Sequence, residues 1–342
     1  MLALGAVAAC SQSYGANDTA APSVEAGTEA GADGSTFDMD SSSDDVATDS
    51  SKPPNYTVLA MGLGEIGGVF ATNEKVYVTL AEQGKVVSIP IGGGSTTTIS
   101  GGMSVGAVRP IVGGANLIFF GSVSLKRLYS VDISTGLPAA YDVGPLAPAV
   151  LATSSDHLMV IGDSLNGSDE LQQRPFDLAS SPLLLTGAGA FTDVATWGNY
   201  VYYTQSLAAK VSVMTAGSTS PDALSSIETG CESITANATG AYWTRPADGL
   251  VRKKSPTALN GATTLVANEI SPSAIAADDT DVYWLTGDGK LRRKTLDQEL
   301  PPATMSSGFP SAFAGKRTKA IALTSMYIVW ITTDGRVLRL AK

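Results

Sequence analysis

Histidine and cysteine are nearly absent from this sequence: His157, Cys10 and Cys231 are the only examples in 342 residues. A serine–histidine–aspartate triad could draw on His157 alone, zinc sites built from several histidines are excluded, and the two distant cysteines cannot form a CxxC motif. Charge is also sparse, at 16% of residues, and aromatics make up 7%. No apolar run approaches the ~18 residues that a membrane-crossing helix requires. The balance of 22 basic against 32 acidic residues gives a net charge of −10. It offers no basic field of the kind that holds nucleic acid. What the chain has in quantity is glycine, at 36 residues, and a 44% share of hydrophobic residues. Such a length and composition suit one large all-β unit or two average domains.

The first nine residues, Met1 to Ala9, are uncharged and mostly apolar and lead into Val7-Ala8-Ala9-Cys10. A short apolar core followed by small residues reads as an export signal, and its brevity and lack of Lys or Arg predict that more of the signal precedes it. The Val-Ala-Ala-Cys tetrad resembles the lipobox of bacterial lipoproteins. That resemblance implies lipidation of Cys10 and anchoring to a membrane through the lipid. Ser11, where a retention signal would have Asp, implies sorting to the outer membrane, facing the periplasm or the cell surface. Residues 11 to 54 are rich in Ser, Thr, Ala, Gly and Asp, with nine acidic residues against Lys52 alone, so this segment carries −8 of the net −10. Low hydrophobicity with like charge cannot offset the entropy of ordering, which predicts a disordered tether. The expected organisation is signal peptide 1–9, lipidated Cys10 with an acidic linker over 10–54, and a folded domain over 55–342.

Within that domain one pattern recurs seven times. Its centre is a β-branched and aromatic run: Val76-Tyr77-Val78, Ile118-Phe119-Phe120, Leu158-Met159-Val160, Val201-Tyr202-Tyr203, Ala241-Tyr242-Trp243, Val282-Tyr283-Trp284 and Ile328-Val329-Trp330. Measured at the last residue of each run, the spacings are 42, 40, 43, 40, 41 and 46. An apolar position precedes each run (Val69, Ile111, Val150, Val194, Ile234, Ile275, Ile321) and another follows it (Val86, Leu128, Leu171, Val211, Val251, Leu291, Val337). These read as strands separated by turns. Asp248-Gly249, Asp288-Gly289 and Asp334-Gly335 predict type I′ hairpins after the last three runs. A fourth strand fits between copies, at Thr96 to Ile99, Leu183 to Leu185 and Thr263 to Val266. The last copy lacks one, and Tyr56 to Ala60 stands free to fill the gap. Four-stranded units of ~40 to 45 residues repeated radially are propeller blades. The expected fold is therefore all-β, a single seven-bladed β-propeller closed by its N-terminal strand.

The segments Ala241-Tyr242-Trp243-Thr244 and Asp281-Val282-Tyr283-Trp284 resemble YWTD-type and NHL-type propeller repeats. With the lipobox and tether, the chain looks like a bacterial propeller lipoprotein. YWTD domains have six repeats where this chain has seven, and the Gly-His and Trp-Asp signature of WD-repeat propellers is missing.

Loops between blades gather at one mouth of a propeller channel, and function concentrates on loops held by a rigid framework. Here they carry Glu65, Arg109, Asp142, Phe191, Glu228, Glu232, Glu269 and Lys319, a set suited to a small polar ligand or a divalent metal, or to ordinary solvated charge. His157 reads as a hairpin residue and Cys231 as a buried, inert thiol. Arg252-Lys253-Lys254, Arg292-Arg293-Lys294 and Arg339 read as exposed third-strand positions, or as a stripe for an anionic polymer or lipid headgroups. The leading expectation is a monomeric, lipid-anchored, non-catalytic binding or scaffolding module without a cofactor or nucleic acid, whose partner is a protein or a small polar ligand. The alternative is a metal-dependent hydrolase, lactonase or lyase with a carboxylate-held ion. A role in outer-membrane protein assembly is a third reading, by analogy.

Overall fold

The computed structural model describes residues 55–342 apart from 101–105, 115, 143–145, 164–167, 179, 256, 258–260 and 311–318. The expected signal peptide, Cys10 and the acidic linker lie outside the described residues. By contacts the chain divides into Met1–Ser50 and Ser51–Lys342, and the second unit is the propeller.

Seven four-stranded antiparallel sheets are present, six of them formed by four consecutive strands. We number the blades 1 to 7 and their strands a to d from the channel outward. The a strands are Ile66–Ala71, Val108–Gly114, Ala147–Thr153, Phe191–Trp197, Ile234–Asn237, Ile275–Ala277 and Ile321–Leu323. Each touches the a strand on either side, and the last contacts the first, so the blades form a closed ring. In blade 7 the strands Tyr327–Ile331 and Val337–Ala341 are completed by Thr57–Ala60, which pairs Thr57 with Arg339 and Val58 with Leu338. Both ends of the domain thus share one sheet.

The seven repeat centres are the b strands. Successive strand residues point to opposite faces, and in a blade both faces are covered by neighbours, so runs such as Tyr242-Trp243 are buried throughout. Trp243 packs with Tyr202 and Val211 of blade 4, Trp284 with Tyr242 and Val251 of blade 5, and Trp330 with Tyr283 and Leu291 of blade 6. A tryptophan from one blade meets a tyrosine of the preceding blade at three successive interfaces. Each such side chain contributes roughly 1.5–3 kcal/mol by leaving water. This accounts for the recurrence of the aromatic run.

The Asp-Gly turns differ from the sequence expectation. A type I′ turn needs positive φ at both central residues, yet only the glycines lie there: Gly249 at +63°, Gly289 at +72° and Gly335 at +76°. The turns close instead through Gly249 N–H to Pro246 O, Gly289 N–H to Thr286 O and Gly335 N–H to Thr332 O. This is a four-residue turn ending in a left-handed glycine, a common way to begin the next strand. The longer loops, with Thr286 and Thr332 hydroxyls bonded to Asp288 and Asp334, favour it over the two-residue form.

Candidate functional site

The ring has two unlike faces. One carries the connections between blades and the b–c turns, and we call it the loop face. The other carries the a–b and c–d hairpins. The channel between them encloses about 230 Å³ and is lined by a-strand residues such as Val69, Ile111, Leu151, Val194 and Ile234, with Lys319 the one charged side chain among the described residues of its wall. Seven a strands turn their unpaired edges toward this space, so backbone carbonyls and amides line it as well.

Lys319 leaves blade 7 at the loop-face end of the channel and crosses to blades 4 and 5. Its ammonium lies 2.6 Å from Asp193 Oδ1 and donates to Val194 O at 3.0 Å and Ile234 O at 3.2 Å. Asp193, only 3% exposed, accepts through Oδ1 from Val194 N–H and through Oδ2 from Ser233 Oγ and Ile234 N–H. The carboxylate and the ammonium are both fully engaged. Asp193 escaped the sequence reading, although a signal was present: the same repeat position is Gly68, Pro110, Ala149, Ser233, Ala274 and Ala320 in the other copies.

The remaining mouth candidates divide by environment. Glu65 and Arg109 form an ion pair at 2.9 Å that joins blades 1 and 2 on the loop face, with the guanidinium half exposed. Glu232 is partly buried, and its backbone N–H donates to Thr244 O. Asp142 ends the d strand of blade 2, and its side chain lies outside the described residues. Phe191 is fully buried against Tyr203, with ring centroids 5.4 Å apart.

Glu228 and Glu269 leave the mouth altogether and are buried between blades. Glu228 accepts from Trp243 Nε1 at 2.9 Å and Arg252 at 3.4 Å. Glu269 accepts from Trp284 Nε1 at 3.0 Å and from Arg292 at 3.0 and 3.2 Å. The same glutamate–tryptophan–arginine unit thus stands at two successive positions. Among the described residues it is not repeated in blade 7, where Trp330 Nε1 is buried with no partner among them and Phe309 and Tyr56 pack on the indole.

These units also absorb part of the basic clusters, because Arg252 and Arg292 turn into the blade interfaces. Arg293 pairs with Asp281 at 3.7 Å, Lys253 lies over the Tyr242 ring and Arg339 over that of Tyr327. His157 begins the b strand of blade 3 on the hairpin face, with Nδ1 2.7 Å from the exposed Asp156. A strand length, roughly 20 Å, separates the two faces. Cys231 is buried, and loss of solvent together with the nearby Glu228 charge pushes its thiol up to about 12. Among the described residues, no three His, Cys, Asp or Glu side chains converge as a metal site would require.

No protein-family profile matches the chain, and no curated protein matches it in sequence. Solved structures share its fold at low identity. A catalytically inactive histidine-to-alanine variant of virginiamycin B lyase from Staphylococcus aureus, with quinupristin, is 14% identical at a TM-score of 0.67, covering 85% of this chain and 99% of that one. A computationally designed protein is 13% identical at a TM-score of 0.60, covering 85% and 100%. A nidogen/laminin complex gives 12% identity and a TM-score of 0.54, covering 69% and 93%. One fold therefore spans a lyase, a designed protein and a binding complex, and the likeness carries architecture alone.

Proposed function

We propose that this chain is a lipid-anchored, non-catalytic binding or scaffolding propeller of the bacterial cell envelope, presenting its loop face to a protein or a small polar ligand. One observation carries the non-catalytic part: the charged groups that could have worked at the channel are already neutralised within the fold. Lys319 saturates Asp193, indole and guanidinium groups saturate Glu228 and Glu269, and the sole histidine stands on the opposite face. A general base needs a free lone pair within reach of substrate, and these carboxylates have theirs occupied. Glu65 and Arg109 are left at the mouth as a partly exposed pair suited to recognition. The lipid anchor rests on the Val-Ala-Ala-Cys tetrad.

A second reading, a lyase or hydrolase working at the channel, draws support from the likeness to virginiamycin B lyase. Against it stands the histidine: replacing one makes that enzyme inactive, and here His157 sits at a hairpin tip away from the mouth. Incubation of the full chain with quinupristin, read by liquid chromatography with tandem mass spectrometry for loss of the parent compound, separates the readings. No turnover, together with an unfolding midpoint that stays the same in chelator and in Ca²⁺, Mg²⁺, Mn²⁺ or Zn²⁺, is the expected result. Turnover, or a rise specific to one ion, would overturn the non-catalytic reading. Palmitate labelling in cells tests the anchor, with the label expected to vanish in Cys10→Ser.

A further inference from the structure

The contact between Lys319 and Asp193 holds more than an ion pair. Three oxygens from two blades converge on one cationic point: a buried carboxylate oxygen at 2.6 Å and two a-strand carbonyls at 3.0 and 3.2 Å. They belong to blades 4 and 5, and the ammonium that they hold is delivered from blade 7, across the channel. Carboxylate plus backbone carbonyl is the donor set of a hard divalent cation, and an irregular, incomplete shell topped up by water suits Ca²⁺ better than Mg²⁺, which demands near-octahedral geometry. The channel beside it, of about 230 Å³, has room for those waters at ~30 Å³ each. Asp193 also cannot stand alone. A buried carboxylate stripped of its cation is strongly unfavourable, and among the described residues Lys319 is the cation it meets.

We propose that Asp193, Val194 and Ile234 form a hard-cation site in the channel, which the chain fills with the ammonium of its own Lys319. The lysine acts as a tethered ion. It performs the cross-linking that a bound Ca²⁺ would perform and ties blade 7 to the far side of the ring without dependence on metal supply. The inference rests on the channel geometry and is independent of what the loop face binds.

The test is Lys319→Ala in the full chain, compared with the unsubstituted chain and with the double variant Lys319→Ala, Asp193→Asn. Equilibrium dialysis with radioactive Ca²⁺ counts bound ions, and thermal unfolding in chelator or in millimolar Ca²⁺ reads their effect. Any weak binding by the acidic 11–54 segment is common to all three proteins and subtracts out. Lys319→Ala is expected to bind one more Ca²⁺ per chain than the parent, to unfold earlier in chelator, and to regain a few degrees once Ca²⁺ reaches ~100 times its dissociation constant. The double variant should lose both effects. A folded Lys319→Ala chain that binds no extra Ca²⁺ would overturn the proposal, as would a double variant that binds equally well. Failure of both Lys319→Ala and Lys319→Ser to fold even in millimolar Ca²⁺ would overturn it too, because the ion is expected to replace the strut.

Discussion

Trp284 and Trp330 occupy the same place in successive blades, yet their indole nitrogens meet different fates. Trp284 Nε1 donates to the buried Glu269, whereas Trp330 Nε1 has no partner among the described residues. Hydrogen bonds to charged groups are worth about 1.5–3 kcal/mol, and an orphaned buried donor costs about 1–3 kcal/mol. Trp284→Phe should therefore destabilise the fold by at least about 1.5 kcal/mol more than Trp330→Phe, as read from urea unfolding at constant m. Two groups at the next interface along set an alkaline limit. Burial raises the Cys231 thiol to about 12 from 9.0 and, with the Tyr200 charge, the Tyr202 phenol to about 12 from 10.0. Both native states hold their protons more tightly than the unfolded chain. The stabilisation is complete below pH 9 and is lost as pH climbs toward 12. The midpoint should fall steeply across that window, and Cys231→Ala should flatten its onset near pH 9. The single carboxylate of Asp193 shows where residue-scale reading from sequence stops. Its exceptional identity among seven copies was visible in the chain, but its partner lies 126 positions away and three blades round the ring, and no spacing rule joins the two.

At the scale of elements, the turn before six of the seven c strands repeats one backbone requirement with different side chains. The left-handed position is glycine at Gly84, Gly249, Gly289 and Gly335, but lysine at Lys126, with φ +53°, and alanine at Ala209, with φ +48°. A side chain there costs about 1–2 kcal/mol, offset in part by the extra freedom glycine gives the unfolded chain. Lys126→Gly and Ala209→Gly should each stabilise the protein by about 0.5–1 kcal/mol. Gly249→Ala should do the reverse by about 2 kcal/mol or more, since its Cβ would stand 2.5 Å from Glu269 O and strain adds to the unfavourable φ. Thermal unfolding of the three variants checks both signs. Strand identity was legible because the continuous β-branched and aromatic runs are buried on both faces. The turn type was not, because Asp-Gly fits both the two-residue turn and the longer form, and the loop length that separates them depends on where pairing stops. For the same reason Glu228 and Glu269 read as mouth residues: a carboxylate in a connection faces solvent or a blade interface according to whether the next blade offers it an indole, and Trp243 and Trp284 follow 15 residues later.

For the whole molecule, the seam in blade 7 decides which part of the N-terminal region the fold needs. Thr57–Ala60 supplies that blade's outer strand, and Tyr56 packs on Trp330 at 5.9 Å. Removing residues 1–50 should leave the unfolding midpoint of the propeller unchanged. Removing residues 1–60 bares the edge of Val337–Ala341 and the Trp330 indole, and should lower the midpoint and promote association through the open edge. Light scattering and thermal unfolding of the two truncated chains distinguish these outcomes. The same seam sets an order on folding. Thr57 pairs with Arg339, a contact that spans almost the whole domain, and closing so long a loop costs entropy that the local hairpins of the other blades do not incur. Six blades can zip from local hairpins, while the first strand waits, bare, for blade 7. The ring therefore closes last, and until it does the edge of Val337–Ala341 lies open to chaperones, proteases and other chains.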